Sequence, residues 1–374
     1  MQEKRVRVVV APDKFKGSLT GPEVAAAVAA GIVRVRPEVE VRRLPVADGG
    51  DGTVEAFLAA GWERVPVTAV GPTGETVETA YAVQGSTAVI ELAAVVGLSK
   101  LPGGQFDPLH SSTHGLGLAI GHALDRGMRD IVLGVGGSAS TDGGAGMLQA
   151  LGLRILDADG HELPRGGAEL VRAARVDRSG LHPALAGAMF TLASDVDNPL
   201  LGTRGAAAVF GPQKGADAHQ RAILEAAMAN WAGLIDPDCA EWPGAGAAGG
   251  TGFGAMAVLK AVERSGIRVI LDLIDFRAHL AGAELVITGE GSLDEQTLHG
   301  KAPMGVCATA RAANVPVVAV AGRCLLPESR LRAAGFDACF ALSDLEPDPG
   351  RSMADAARLL ERLGSLIAER YLGT

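Results

Sequence analysis

Five polar clusters could do chemistry, and each follows an apolar run that reads as a strand. The densest is "GVGGSASTDGGAG", residues 134–146, which puts six glycines among two serines, a threonine and an aspartate. Glycine is entropically costly to fold, so such density implies close approach of backbone to something. The Walker A pattern is absent: the one Gly-Lys pair, Gly300-Lys301, is followed by Ala302. Gly134-x-Gly136-x-x-Ala139 matches the dinucleotide fingerprint literally, with Asp157 and Asp159 further on. The helix, however, is expected to start only after Asp142, too late for that turn. The preferred reading is a loop whose backbone N–H groups face phosphates at a helix N-terminus. Its candidate residues are Gly136, Gly137, Ser138, Ser140, Thr141, Asp142, Gly143 and Gly144. The alternative is a plain glycine turn with Asp142 as N-cap.

The other clusters supply charge. "APDKFKGSLT" gathers Asp13, Lys14, Lys16 and Ser18 at the carboxyl end of the first strand, the edge where open α/β sheets bind ligands. "VADGGDGT" brackets Gly49-Gly50 with Asp48 and Asp51, carboxylates able to bind magnesium, hold a hydroxyl or accept a proton. "SDVDNPLLG" offers Asp195, Asp197 and Asn198 to a metal or a substrate hydroxyl, with an Asx turn as the plainer role for Asp197. "VITGEGSLDEQTLHGKAPMG" crowds Glu290, Ser292, Asp294, Gln296, Thr297 and Lys301 into one loop. Lys301 could reach a phosphate or carboxylate, while Asp294 and Glu295 also suit a helix's first turn. Lys214, in "GPQKGA", either neutralises phosphate or sits on the surface at a helix start. His110 and His114 have helical spacing without the glutamate of a metalloprotease pair, so a structural role is expected, with Ser112, Thr113 and His114 near the site. No Gly-x-Ser-x-Gly elbow occurs.

What must position these groups is an alternation of strands and helices. Strands are expected at "VRVVVAP", "EVEVRRLPVAD" and "ERVPVTAV", with intervening helices, the first capped by Thr20. This grammar implies βαβ units and a parallel sheet. It resumes in "AELVITGE", "VPVVAVAG" and "DACFALS", and closes on a long amphipathic helix at 352–371. The middle reads differently, as an antiparallel ribbon turning at Gln84-Gly85-Ser86, with "PGAGAAGGTGFG" as a flexible or ligand-facing loop. The expectation is therefore an α/β chain of two domains: a discontinuous parallel-sheet domain, 1–71 and 282–374, and an inserted mixed α/β domain, 72–281. A cleft between them would collect the five clusters.

Length supports two domains, since 374 residues exceed one compact core. A net charge of −9 and 4% aromatic residues argue against nucleic acid as a partner. Cys239, Cys307, Cys324 and Cys339 have no zinc-site spacing and read as buried thiols of a reducing cytosol. The start of the chain reads as a strand rather than a leader, and no apolar run has membrane-spanning length. A soluble, cytoplasmic protein without membrane partners is expected, and a homodimer is left open.

Carboxylates, lysines, hydroxyls and glycine backbone, with no activated cysteine or imidazole, fit phosphoryl transfer, where catalysis is positioning and charge neutralisation. Six stretches, "VVVAPDKFKGSLT", "PVADGGDGT", "GVGGSASTDGGAGMLQALG", "FTLASDVDNPLLG", "GAAAVFGPQKGA" and "ELVITGEGSLDEQTLHGKAPMGV", together resemble the type I bacterial glycerate kinases in order and spacing. The resemblance spans essentially the whole chain. It implies phosphorylation of D-glycerate by ATP with magnesium at the 2-hydroxyl, on a flavodoxin-like domain with an insert of restriction-enzyme-like topology. It further implies that loop 136–144 cradles the nucleotide phosphates. Lys14, Lys16 and the loop of Asp48 and Asp51 would hold glycerate or neutralise the transferred group, with Asp13 and Ser18 beside them. Asp195, with Asn198, would serve magnesium or take the hydroxyl proton, and Glu290 and Lys301 would complete the site, Glu290 also as a metal ligand. The chain departs from the family pattern at Ser140-Thr141, where Thr-Asn is common, and at Asp197, often Asn. Two other classes remain: a nicotinamide oxidoreductase built on the 134–139 fingerprint, and a catalytically silent sensor of hydroxy acids.

Overall fold

A computed structural model describes residues 6–373. Contacts divide the chain into two units. The first runs to Asp48 and adds Glu55–Gly61 and everything from Ile267; the second holds Gly49–Val54 and Trp62–Gly266.

The strands, in chain order, are β1 (Arg7–Pro12), β2 (Glu40–Arg43), β3 (Glu63–Val70), β4 (Thr76–Gln84) and β5 (Thr87–Glu91). There follow β6 (Asp130–Gly134), β7 (Arg154–Leu156), β8 (Arg175–Asp177), β9 (Met189–Ala193) and β10 (Val262–Arg264). The last are β11 (Ala283–Leu293), β12 (Val317–Cys324) and β13 (Ala338–Ala341).

The first unit is a five-stranded, all-parallel sheet in the order β2-β1-β11-β12-β13. Numbered within the unit this is 2-1-3-4-5, the flavodoxin-like order, whose direction of winding reverses between β1 and β11. The continuous burial of Val8, Val9, Val10 and Ala11 is what a strand covered on both faces requires. The helix Gly21–Val35 starts in a capping box formed by Thr20 and Glu23, and packs against the C-terminal helix Ala356–Tyr371. The two approach so closely that a Cβ on Gly31 would lie 1.9 Å from the carbonyl oxygen of Glu361. The expected single helix at 352–371 is broken at Asp355, leaving a short helix Pro349–Ala354 before the long one.

The second unit carries a six-stranded mixed sheet, β10-β9-β6-β5-β4-β3, and the two-stranded ribbon β7-β8. From β5 to β10 the neighbours run parallel, whereas β3-β4 and β4-β5 are antiparallel. This corrects the expectation that the third strand continues the parallel sheet. Its buried residues alternate, Val65, Val67 and Ala69, and Pro66 lacks the N–H a central strand needs; both traits belong to an edge strand with one wet face. "PGAGAAGGTGFG" is also corrected: it is mostly buried and enters the helix Ala247–Leu259, whose Ala248, Gly249 and Gly250 have left-handed backbone. The cysteines are all free, but only Cys239 and Cys307 are buried; Cys324 and Cys339 are partly exposed. Among the described residues no helix is long and apolar enough to cross a membrane.

Candidate active site

In the second unit, β6 ends at Gly134 and the chain turns through residues 135–144 into the helix Ala145–Ala150. The helix begins well beyond Gly136, so the Rossmann turn expected of the dinucleotide fingerprint is not formed. Gly136 donates its N–H to the carbonyl of Gly49 (3.2 Å), and a Cβ on Gly136 would lie 2.6 Å from Gly50 Cα. Only this close approach lets the turn 49–50 rest on the glycine loop. The same turn is tied at its far end by buried Glu91, whose carboxylate accepts from the N–H groups of Gly52 (3.2 Å) and Val54 (2.9 Å). Asp51 projects from it, exposed.

Of the candidate phosphate loop, Gly136 and Gly137 reach the surface, while residues 138–144 are buried. Asp142 is fully buried and is neither a plain N-cap nor a surface ligand. Its Oδ2 accepts from the N–H and hydroxyl of Thr113 (2.8 Å each) and from the N–H of Gly146 (3.2 Å). Burial pushes its pKa up, against the pull of these hydrogen bonds. Lys214 is buried too, at 2% exposure, which removes the surface position as one of its two alternatives. Its Nζ donates to Ser138 Oγ (2.8 Å) and to the carbonyl of Ser140. Burial lowers its pKa to about 7, opposed by Asp142. Nearby, the hydroxyls of Ser140 and Thr141 are buried with no hydrogen-bond partner among the described residues. From below, Trp231 Nε1 donates to the carbonyl of Gly143 (3.1 Å).

After β9, Asp195 is exposed and its Oδ1 accepts from the N–H of Gly266 (3.1 Å). Asn198 Nδ2 donates to the carbonyl of Arg204 (2.7 Å), and exposed Asp197 faces the Arg204 guanidinium at 3.4 Å. Glu263 on β10 lies in the same field: burial, then Asp195 and Asp197, raise its pKa to about 7. His110 pairs with Asp107 (2.8 Å) and precedes the helix His114–Asp125, so the two histidines do not share a helical face.

In the first unit the clusters after β1 and on β11 flank the reversal of strand order. Asp13 donates its N–H to the carbonyl of Gly289 (2.8 Å), and its Oδ1 accepts from the N–H of Lys14 (2.6 Å). Lys14 Nζ stands 3.9 Å from that carboxylate. Burial raises the Asp13 pKa to about 7; Lys14 opposes this, and the charges of Asp48 and Glu290 add to it. Glu290 Oε1 accepts from the Thr297 hydroxyl (2.5 Å), and its Oε2 lies 3.8 Å from Lys301 Nζ. Burial raises its pKa, opposed by Thr297 and Lys301, while Asp294 and Asp48 reinforce the rise. Asp13, Asp48 and Glu290 thus sit in one electrostatic field with two lysines. Lys16 is exposed, and Ser18 Oγ donates to the carbonyl of Met353 (2.8 Å). Asp294 Oδ1 accepts from the N–H of Gln296 (2.9 Å), an Asx turn before the helix Ala302–Ala312.

Residues 8–372 match the sequence model of the glycerate kinase family. The chain belongs to this family. The glycerate kinase of Bacillus subtilis (strain 168) is 41% identical over 370 residues, covering 97% of each chain. The glycerate 2-kinase of Escherichia coli (strain K12) is 41% identical over 345 residues, 90% of each. A crystal structure of a protein provisionally named glycerate kinase 2, from Salmonella typhimurium LT2, superposes with a TM-score of 0.84 at 40% identity, covering 98% of both chains.

Within this family member, several positioning groups had no clear local signal. Glu91 closes an ordinary strand, and Glu263 is a lone acid in "AVERSG". Thr113, expected near the site without an assigned partner, bridges Asp142 and the N–H of Met147 (2.9 Å). Among the described residues, the one trio of metal-type ligand atoms within 4.8 Å of one another is Asp157, Asp159 and His161, none of them a candidate for this chemistry.

Proposed function

We infer that this chain is an ATP-dependent glycerate kinase that transfers the γ-phosphoryl group to the 2-hydroxyl of D-glycerate, giving 2-phosphoglycerate and ADP. The observation that carries this reading is likeness over nearly the full chain to named glycerate kinases, one of them a glycerate 2-kinase.

The chemistry asks for three things: a cradle for the phosphate chain, a site for a small hydroxy acid, and a group to receive the hydroxyl proton. Loop 136–144 is the proposed cradle. Half-buried Gly136 and exposed Gly137, close in sequence to Ser138 and its buried ammonium partner, suit an anion, and orphaned hydroxyls at Ser140 and Thr141 mark the same segment as unusually polar for its burial. Lys14, Lys16 and Lys301, with Asp48, Asp51, Ser18 and Asn198, are proposed to bind glycerate or offset the charge of the transferred group.

As the hydroxyl oxygen attacks the γ-phosphorus and the bond to ADP breaks, its proton must leave. Asp13 is the carboxylate best suited to take it, because its pKa of about 7 matches a general base at neutral pH. Asp195 in the second unit and Glu290 in the first are each proposed as a carboxylate able to hold magnesium, an ion that takes carboxylate oxygens and would offset phosphate charge when bound. Magnesium is part of what the family resemblance implies.

The test is ADP release from ATP and magnesium with D-glycerate, L-glycerate or no acceptor. Turnover only with D-glycerate is expected. ADP release that ignores the acceptor, or none with any, would overturn the reading.

A further inference from the structure

The glycine loop closes over a cation. Burying an ammonium costs several kcal/mol unless hydrogen bonds and a counter-charge offset it, and a methionine would fill the same volume without that cost. Lys214 nevertheless sits beneath residues 138–140, its Nζ donating to Ser138 Oγ (2.8 Å) and to the Ser140 carbonyl. From the other side Gly249 presses on the same atoms: a Cβ there would lie 2.1 Å from the Ser140 oxygen and 2.7 Å from Lys214 Nζ. Gly249 has φ +67°, so its backbone also resists any other residue. Among the described residues, Asp142 is the charged group that acts on the ammonium, and its carboxylate is already engaged by Thr113, Gly144 and Gly146.

We propose that Lys214 is a positioning residue for nucleotide binding, holding the glycine loop in its phosphate-receiving form and lending it positive charge. This rests on the reading that the loop receives the phosphates. Two consequences of the geometry support it. A trans peptide points its C=O and the following N–H in opposite directions, so drawing the Ser140 carbonyl towards Lys214 turns the Thr141 N–H away from the lysine. Ser138, accepting from the ammonium, must direct its own O–H elsewhere. A buried charge is also weakly screened by salt, so its field reaches the turn at half-buried Gly136 and exposed Gly137.

The experiment compares wild type with Lys214→Met and Ser138→Ala, measuring the Kd of a fluorescent ADP analogue, KM for ATP and for glycerate, and melting temperature. Lys214→Met is expected to fold, to weaken analogue binding and raise KM for ATP by about tenfold or more, and to leave KM for glycerate within about twofold. Wild-type affinity for the analogue should fall as pH rises through about 7, where the ammonium loses its proton, and the methionine variant should not show that fall. A folded Lys214→Met that binds the analogue within about twofold of wild type overturns the proposal. So does an identical pH profile in both. If the methionine variant does not fold, Ser138→Ala and the wild-type titration decide: unchanged affinity in the first, or a flat profile in the second, overturns it. Wild type that binds no nucleotide would instead sink the functional reading on which the proposal rests.

Discussion

The Asp142 carboxylate accepts two hydrogen bonds from Thr113, one from its backbone N–H and one from its hydroxyl, both 2.8 Å. This pair joins the start of the helix His114–Asp125 to the glycine loop, and the Thr113 hydroxyl accepts in turn from Met147. An aspartate in a glycine-rich loop invites a ligand role. Here its acceptor capacity is spent inside the protein.

Asp142→Asn should therefore act first on stability. The amide replaces an acceptor with a donor facing N–H groups, at an expected cost of about 2–3 kcal/mol. Denaturant melts would measure it. An unchanged midpoint with lost nucleotide binding would mean that the carboxylate touches the ligand after all.

Asp13 makes a pH prediction with two faces. As the proton acceptor it must be ionised, so kcat/KM should rise with pH through about 7, and Asp13→Asn should remove both that limb and most of the activity. For stability the sign is opposite. A carboxyl raised from 3.8 to about 7 contributes stability that is present below the lower value and is lost as pH rises through the upper one. Asp13→Asn should thus be more stable than wild type at alkaline pH while being less active. Equal loss of stability at every pH would contradict this account of its burial.

Asp195→Asn tests the second unit. Its side chain is exposed and its carboxylate accepts from the Gly266 N–H at the surface, so the fold should survive the change. Turnover is expected to fall by about a hundredfold or more. Steady-state kinetics beside a melting curve separates the two, and near-normal kcat would remove Asp195 from the proposed machinery.

Gly31→Ala is the contrasting case. A methyl placed 1.9 Å from the Glu361 carbonyl oxygen must push the two helices apart, costing about 1–3 kcal/mol. The melting temperature should drop while both KM values hold. A shift in KM for glycerate would show that this helix pair reaches the site.

Much of the fold was legible because local patterns carry it. The unbroken apolar run of β1 and the capping box at Thr20 are short-range signals, and the order of six motifs pointed to the family. The edge position of β3 was also written locally, in its alternation and in Pro66, but the strand-helix rhythm around it was the louder signal. What could not be read is what distant residues do to a side chain. Lys214 looks like any lysine at a helix start until Ser138 and Ser140, more than seventy positions away, close over it. Asp142 waits on Thr113, 29 residues earlier. Burial, and hence protonation, is set by such partners, and no spacing rule contains them.

The central claim is that this chain phosphorylates D-glycerate at its 2-hydroxyl. Phosphorus NMR of a reaction containing enzyme, ATP, magnesium and D-glycerate tests it directly. The account predicts a growing resonance of 2-phosphoglycerate matched by ADP. A 3-phosphoglycerate signal would contradict the assigned hydroxyl, and the absence of any phosphorylated glycerate would contradict the activity itself.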